Sequence, residues 1–174
     1  MKIVIVGAGE VGSHLAKLLS REEQDVMLVD DDAERLASID ANYNLMTLRG
    51  SAISFNTLRQ AGVEKCDLFI AVTPDETRNV TSCTIAKSIG ARKTVARIDN
   101  YEFLDKNNRD FFTRQGVNAL IYPEYLAAQE IITALRRNWV RHWFELHDGK
   151  LVIVGVKLRE NARIVGMHLK DFAR

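Results

Sequence analysis

The 174-residue sequence lacks most of the features that mark specialised protein classes. Its two cysteines, Cys66 and Cys83, stand outside any Cys-x-x-Cys motif, so neither a zinc site nor a redox pair is indicated and a reducing, cytoplasmic location is expected. No apolar run approaches the roughly 20 residues that span a bilayer, so we expect no direct membrane insertion. The formal net charge is +1 with both signs interspersed, which gives no indication of a nucleic-acid surface.

Residues associated with catalysis are also scarce. No tyrosine has a lysine four residues later, so the Tyr-x-x-x-Lys pair of short-chain reductases is missing. The four histidines are scattered along the chain, and none stands in a pattern that indicates a general base. Cys83 lies among apolar residues of a predicted helix without an activating partner, which favours a core position over a nucleophile. We therefore expect a chain that binds a ligand without reacting with it.

The sequence does contain a Gly-x-Gly-x-x-Gly motif near its start. Residues 2–6 predict a short strand buried on both faces, and the chain then changes to helical periodicity. In this context Gly7 permits a tight turn, Gly9 leaves room for a pyrophosphate, and Gly12 lets the helix lie close to the strand. The free N–H groups at the helix N-terminus would face the phosphates. The motif thus predicts dinucleotide binding.

The second predicted strand, residues 26–29, ends at Asp30, 18 residues after Gly12. An acid at about this spacing can hold the ribose hydroxyls of a bound dinucleotide. The alternative is that Asp30 only caps the next helix, a role that Asp31 or Asp32 could fill equally well. Three consecutive acids would repel a 2′-phosphate, so NAD(H) is favoured over NADP(H).

Strands and helices alternate six times up to residue 124, with short connections between them. Such alternation is typical of a doubly wound parallel sheet. We therefore predict an α/β fold, a Rossmann-like six-stranded parallel sheet over residues 1–124. The remaining strands are predicted at 45–48, 68–72, 94–97 and 119–122, and the helices after the first at 32–39, 55–61, 77–89 and 101–114.

Beyond residue 124 the pattern changes. Apolar residues spaced three and four apart predict a crossover helix over residues 125–140, which packs either on the chain's own sheet or, as we favour, on a second subunit. An Asp-Gly pair between two apolar runs then predicts a hairpin. Because two or three elements cannot bury a core, we expect residues 141–174 to be the start of a second lobe that is cut short. The apolar face of the helix comprises Tyr125, Ala128, Ile132, Leu135 and Trp139.

Several segments together resemble the KTN (RCK) domain family, the NAD-binding regulatory subunits of Trk-type potassium uptake systems. The resemblance spans roughly residues 1–138, and the residues after it resemble the start of the family's C-terminal regulatory lobe. As a set these segments are specific, whereas the glycine motif alone would not be. They are residues 3–16, Asp30, Gly50 and Ser51, residues 71–79, residues 96–99 and residues 122–124.

The resemblance implies a set of nucleotide contacts. Residues 7–11 would line the pyrophosphate, with NAD or NADH as the ligand and ATP or ADP possible at the same site. Glu10 stands where ATP-preferring relatives often carry arginine, and an acid there should disfavour a γ-phosphate. The family often has Gly-Asp where this chain has Gly50 and Ser51. The implied cofactor-binding residues are Gly7, Ala8, Gly9, Glu10 and Val11 at the pyrophosphate, Gly12 at the end of the same motif, Asp30 at the adenosine ribose, Ser51 near the adenine, Thr73 and Pro74 at the ribose–nicotinamide side, and Arg97 near a phosphate or the far ribose.

One further residue is implied more weakly. Glu124 stands where related domains place an acid near the ligand or near a cation between subunits; no catalytic residue and no other metal ligand is implied.

The resemblance also implies a role for the whole protein. It would be a cytoplasmic, non-enzymatic regulatory subunit that forms a dimer assembling into a tetramer or ring. Nucleotide binding would change the angle between paired domains and so gate a potassium-conducting membrane subunit on the inner face of the cell membrane. Two alternatives remain: the NAD-binding domain of a dehydrogenase without its substrate domain, and a methyltransferase-like binder of an adenosyl group.

Overall fold

A computed structural model of the chain describes residues 1–40, 45–136, 140–147 and 150–172. The chain divides into two compact units, Met1–Glu124 and Tyr125–Arg174.

The first unit is built on a six-stranded sheet in which every neighbouring pair of strands is parallel. The strand order is β3-β2-β1-β4-β5-β6, the doubly wound order in which the chain reverses direction across the sheet beside β1. The predicted fold class is therefore confirmed. The strands are β1 (Lys2–Val6), β2 (Asp25–Asp30), β3 (Met46–Arg49), β4 (Leu68–Ala71), β5 (Lys93–Arg97) and β6 (Ala119–Ile121).

Five α-helices connect these strands, and local capping sets several of their ends. Ser54 accepts a hydrogen bond from the N–H of Thr57, and Asp75 accepts one from the N–H of Arg78, as expected of N-cap residues. The helices are α1 (Glu10–Arg21), α2 (Ala33–Asp40), α3 (Phe55–Gln60), α4 (Glu76–Ile89) and α5 (Lys106–Arg114).

The single helix predicted over residues 101–114 is wrong in one respect. The structure has a 3₁₀ turn at Tyr101–Leu104, and α5 begins only after Asp105. Asn100 accepts a hydrogen bond from the N–H of Glu102 and so caps the short turn, whereas Asp105 is extended with ψ of 141°. The N-cap residues Asn100 and Asp105 therefore divide the segment that apolar periodicity predicts as one helix into a 3₁₀ turn and α5.

The sheet is buried on both faces, as a parallel sheet requires. Alternate residues of β1 point to opposite sides, so that Val4 and Val6 belong to one cluster and Ile3 and Ile5 to the other. All four are at most 2% exposed. The prediction that this strand is buried on both faces is confirmed. The glycine turn therefore follows a strand that is packed on both sides.

The second unit contains most of a helix, a hairpin and a short terminal helix. Helix α6 (Pro123–Arg136) starts two residues before the predicted crossover helix; Trp139 lies outside the described residues. Strands β7 (Val140–Leu146) and β8 (Leu151–Val156) pair antiparallel, which confirms the predicted hairpin, although its Asp-Gly pair also lies outside the described residues. Helix α7 covers Leu169–Phe172.

Along the apolar face of α6, Ile132 and Leu135 are 40% and 77% exposed. Within the described part of the chain, no helix combines the length and apolar character needed to cross a bilayer.

Candidate functional site

The turn after β1 has the geometry that its glycines predict. Gly7 has φ of +103°, a conformation that side chains disfavour, and a Cβ there would lie 2.9 Å from the backbone nitrogen of Thr73. A Cβ on Gly12 would lie 1.8 Å from the carbonyl oxygen of Gly7. The first and third glycines therefore allow close packing between the turn, β4 and α1.

The second glycine has a different environment, because a Cβ at Gly9 would meet no atom within 4 Å. Gly9 is the N-cap of α1, and the first intrahelical hydrogen bond runs from the N–H of Ser13 to its carbonyl oxygen at 2.9 Å. The N–H groups of Glu10, Val11 and Gly12 consequently have no partner within the helix. Open space beside free amides at the positive end of a helix is suited to an anionic group.

Asp30, the last residue of β2, is directed toward this turn. It is only 8% exposed; its Oδ2 atom accepts a hydrogen bond from the N–H of Ala8 at 2.6 Å, and its Oδ1 atom accepts one from the N–H of Asp32 at 2.9 Å. Asp32 accepts hydrogen bonds from the N–H groups of Glu34 and Arg35 in the first turn of α2. The helix-capping role considered for Asp30 therefore belongs to Asp32.

The other two acids of this loop are paired with arginines. Arg78 of α4 donates to the Oδ2 atom of Asp31 at 2.5 Å, and this hydrogen bond lowers the pKa of the Asp31 carboxyl below its usual 3.8. Arg35 lies 3.2 Å from the carboxylate of Asp32. Two of the three acids therefore carry a counter-charge that local sequence does not reveal. They repel a 2′-phosphate less strongly than the three unpaired acids assumed in the prediction.

The carboxyl ends of β4 and β5 are joined by a side chain that was not among the predicted site residues. Asn79 is 1% exposed, and its Oδ1 atom accepts from both the N–H and the hydroxyl of Thr73, at 2.9 and 2.7 Å. Its Nδ2 atom donates to the carbonyl oxygens of Thr73 and Arg97, at 2.9 and 3.0 Å. A buried asparagine with every polar atom bonded fixes two of the predicted site loops relative to each other.

A second connection also ties α4 to β5. Glu76 accepts hydrogen bonds from the N–H groups of Asp99 and Asn100 through its Oε2 atom. The guanidinium of Arg97 lies 3.2 Å from the carboxylate of Glu124 in the first turn of α6. Glu124, predicted near a ligand or an intersubunit cation, thus contacts a predicted site residue of its own unit.

The structure brings together most of the predicted site residues. Gly7, Asp30, Thr73 and Pro74 line a small cavity of about 40 Å³, and Ala8, Gly9 and Glu10 line a wider cleft of about 650 Å³ that also includes Pro74. Ser51 follows Gly50, whose N–H donates to the carbonyl oxygen of Asp30 at 2.8 Å, so the third strand reaches the same edge. Val11 and Gly12 lie in the first turn of α1; Arg97 and Glu124 line neither cavity.

Neither cysteine has the environment of a nucleophile. Burial raises the pKa of Cys66 to about 11 and that of Cys83 to about 12. Among the described residues, no group of three or more histidine, cysteine, aspartate or glutamate side chains is placed to hold a metal ion.

Relatives with known names match nearly the whole chain. The "Trk system potassium uptake protein TrkA" of Halomonas elongata is 32% identical over 170 residues, which are 97% of this chain and 37% of that protein. The "Trk system potassium uptake protein TrkA homolog" of Archaeoglobus fulgidus is 31% identical over 173 residues, 98% of this chain and 38% of that protein. The chain thus spans just over a third of the length of these curated relatives.

Solved structures match the fold at lower identity. The TrkA-N domain of the inner membrane protein ybaL from Escherichia coli matches with a TM-score of 0.67 and 18% identity over 77% of this chain and 96% of that one. The GsuK channel bound to NAD matches with a TM-score of 0.59 and 16% identity over 70% of this chain and 21% of that one. GsuK bound to ADP has a TM-score of 0.61 and 23% identity over 78% of this chain and 34% of that one.

The model of the TrkA-N domain matches residues 3–123, which hold the glycine turn, Asp30 and all six strands of the sheet. The chain belongs to the TrkA-N domain family.

Proposed function

We propose that this chain is a nucleotide-binding regulatory part of a potassium uptake system, with NAD or NADH as its ligand and no turnover. The observation that carries the nucleotide site is the open space at Gly9, which lies beside the free amides of α1. A diphosphate needs close approach to the backbone, and only the absence of a side chain allows it there. In this proposal Asp30, whose carboxylate is fixed at the same turn, accepts hydrogen bonds from the ribose hydroxyls.

The choice among nucleotides rests on charge. Glu10 is exposed in the first turn of α1, directly after the open glycine, so a further phosphate beyond the diphosphate would meet a carboxylate. We therefore rank NAD and NADH above ATP, with ADP as a weaker ligand of the same site. Solved relatives of the same fold bound to NAD and to ADP support the dinucleotide and diphosphate classes.

The potassium role is supported by the relatives that are named as Trk potassium uptake proteins. In this role the chain acts on the cytoplasmic side of the membrane, through a potassium-conducting partner. Copies of it pair as dimers within a tetramer or ring, and the exposed apolar face of α6 offers a contact surface between copies. Nucleotide binding regulates the partner only if the two conformations of the assembly bind the nucleotide with different affinities, by typically about 1–3 kcal/mol.

The ion pair of Arg97 and Glu124 connects the end of β5 with the first turn of α6. Arg97 is predicted to approach a phosphate or the far ribose, although it lines neither of the two cavities described above. A phosphate or ribose that attracts Arg97 would compete with Glu124 for the guanidinium. Nucleotide occupancy would in this way change the force on the start of the crossover helix.

Calorimetric titration with NADH, NAD⁺, ADP and ATP tests the nucleotide site. We expect Asp30→Ala to lose about 1–3 kcal/mol of NADH affinity, the scale of a lost hydrogen bond to a charged group. Asp25→Ala is the matched control, since it removes an exposed carboxylate at the opposite end of the same strand. Equal affinity in the wild type and the Asp30 variant would remove Asp30 from the site.

Two further measurements separate this proposal from its alternatives. Steady hydride transfer from NADH to a small substrate would favour a dehydrogenase, and tight S-adenosylmethionine binding without NADH binding would favour an adenosyl binder. For the potassium role, cells without their own Trk regulatory subunit should regain potassium uptake when this protein and its membrane partner are expressed together. Uptake that is unchanged by Asp30→Ala would contradict nucleotide control.

A further inference from the structure

One ion pair crosses the entrance to the predicted nucleotide site. Asp31 directly follows β2, and Arg78 lies in the first turn of α4, which follows β4. Because β2 and β4 flank β1 in the sheet, a bond between Asp31 and Arg78 passes over the carboxyl end of β1, where Gly7 turns. The two residues are 47 positions apart in sequence, and their side chains meet at 2.5 Å.

The space beside this ion pair is too small for a base. Both partners line the cavity together with Gly7, Asp30 and Thr73, and its volume is about 40 Å³. A cavity of about 10–15 Å³ on this measure holds one water, whereas ligand pockets typically offer about 300–1,000 Å³. With the pair formed, the side of the crevice nearest Asp30 therefore has no room for an adenine ring.

The same ion pair leaves Arg78 incompletely satisfied. Its Nη2 atom donates to Asp31, but its Nε atom is buried without a hydrogen-bond partner among the described residues. A buried donor without a partner raises the free energy of the folded protein. This arrangement of the guanidinium is therefore less stable than one in which the Nε atom is hydrogen-bonded. The side chains of Arg78 and Asp31 are 30% and 56% exposed, which places the pair among weak, solvent-screened ion pairs.

We propose that the ion pair of Asp31 and Arg78 is a gate over the adenosine end of the nucleotide site. The gate opens when an adenine nucleotide binds, and the planar guanidinium of Arg78 then turns onto the base. Guanidinium groups stack well on aromatic rings, and a base also offers acceptor atoms for the unbonded Nε. This inference rests on the proposed nucleotide binding and adds the residue pair that controls entry.

The gate predicts an unusual mutational effect, because breaking a native bond should improve binding. A site that must first open binds with an apparent affinity reduced by its open fraction. Asp31→Asn removes the charge that holds Arg78 and leaves the guanidinium free for the base. We expect its NADH association rate and affinity to rise about two- to fivefold, the range available from an ion pair of this exposure.

Asp32→Asn is the matched control. It removes one negative charge at the next position and breaks the contact with Arg35, while asparagine can still cap α2. Any general gain from weaker repulsion of the diphosphate should be shared by both variants. The comparison is made by stopped-flow NADH fluorescence for rates and by ADP calorimetry for affinity.

Each outcome decides between specific alternatives. A gain in Asp31→Asn that Asp32→Asn lacks supports the gate. Equal NADH association rates and affinities in the two variants would mean that the ion pair only stabilises the fold. A lower affinity in Asp31→Asn would mean that Asp31 itself contacts the ligand. Either result overturns the gate. If neither the wild type nor Asp31→Asn binds NADH or ADP, the proposed nucleotide function fails first and the gate fails with it.

A second variant tests the contact with the base. Arg78→Met also opens the gate, so its association rate should rise as in Asp31→Asn. The dissociation rate should rise more, because the group that covers the base is gone, and the net NADH affinity should fall below that of the wild type. Rates indistinguishable from those of Asp31→Asn would overturn the contact between Arg78 and the base.

Discussion

The carboxylate of Asp30 accepts a 2.6 Å hydrogen bond from the N–H of Ala8, the residue between the first two glycines of the turn. The acid at the end of β2 therefore holds the turn at the end of β1, in addition to the ligand contact proposed for it. Its second oxygen accepts from the N–H of Asp32 and so orients the start of α2 as well. A residue usually assigned to the ligand is here also a structural link between three segments.

This double role predicts that Asp30→Asn affects folding as well as binding. Asparagine has one acceptor atom, so either the N–H of Ala8 or that of Asp32 loses its partner. We expect the free energy of unfolding to fall by about 1–3 kcal/mol, measured by urea denaturation. Asp25→Asn, at the exposed end of the same strand, should leave it within about 0.5 kcal/mol. Equal urea midpoints for wild type and Asp30→Asn would restrict the acid to ligand binding.

The glycines of the turn predict opposite effects for the same substitution. Gly12→Ala places a methyl group 1.8 Å from the carbonyl oxygen of Gly7, a backbone atom that moves only with the turn itself. We expect this variant to lose about 3 kcal/mol of stability. Gly9→Ala meets nothing within 4 Å, so its stability should change by less than about 1 kcal/mol.

For NADH affinity, we expect Gly9→Ala to be the more strongly affected of the two variants. The methyl group of Gly9→Ala would occupy the space proposed for the diphosphate, so NADH affinity should fall at least about tenfold, or about 1.4 kcal/mol. The two variants control for each other, because each makes the same chemical change in the same turn. Full NADH affinity in a folded Gly9→Ala protein would place the diphosphate elsewhere.

The features predicted from sequence are those with a local cause. Glycine at three fixed offsets, an apolar run before it and helical periodicity after it define β1, the turn and α1 without knowledge of the rest of the chain. The doubly wound parallel sheet follows from the same alternation, because crossover connections permit few arrangements.

The side chains around the site could not be predicted in this way. The partner of Asp31 is 47 residues away, and the four hydrogen bonds of Asn79 reach loops after two different strands. Such pairs form only once the sheet has brought the loops together. For the same reason, the sequence could not decide whether Asp30 or Asp32 caps α2.

The ion pair of Asp31 and Arg78 predicts a pH-dependent contribution to stability. Arg78 lowers the pKa of Asp31 in the folded state, so the pair stabilises the protein above the usual carboxyl value of 3.8 and loses this effect as the pH falls through the lowered value. We expect Arg78→Met to lower the free energy of unfolding by up to about 1 kcal/mol at pH 7. The difference from wild type should vanish in acid.

Urea denaturation at several pH values measures this difference. Arg92→Met is the control, because Arg92 is 77% exposed and lies 3.8 Å from the carboxylate of Asp67. Its loss should be smaller than that of Arg78→Met at pH 7. A loss in Arg78→Met that persists at acid pH would assign its effect to packing of the side chain and not to the charge of Asp31.

The two buried cysteines allow a chemical test of whether the core is closed to solvent. Cys83 is fully buried and Cys66 is 3% exposed, and burial raises the pKa of both thiols, to about 12 and about 11. At pH 8 neither should react with a disulfide reagent in the native protein, and both should react in denaturant. Ser88→Cys, an exposed position on α4, supplies a reactive thiol as a positive control. Rapid reaction of a native cysteine would show that the core opens locally.

The buried amide of Asn79 predicts a large effect of a polar substitution. Asn79→Ala leaves the N–H and carbonyl groups of Thr73 and the carbonyl of Arg97 without their partner in a site that is 1% exposed. We expect a loss of about 3 kcal/mol in the free energy of unfolding. Asn108→Ala is the matched control, since its amide donates one exposed hydrogen bond and its loss should cost less than about 0.5 kcal/mol.

Asn79→Asp separates the two halves of this network. The carboxylate can still accept from Thr73, but an oxygen replaces the amide that donates to two carbonyl oxygens, so repulsion replaces attraction between the ends of β4 and β5. We expect this variant to be at least as unstable as Asn79→Ala at pH 7 and to bind NADH more weakly, because Thr73, which the network holds in place, lines the small cavity. If Asn79→Asp kept the wild-type urea midpoint and NADH affinity, the network would not position the site.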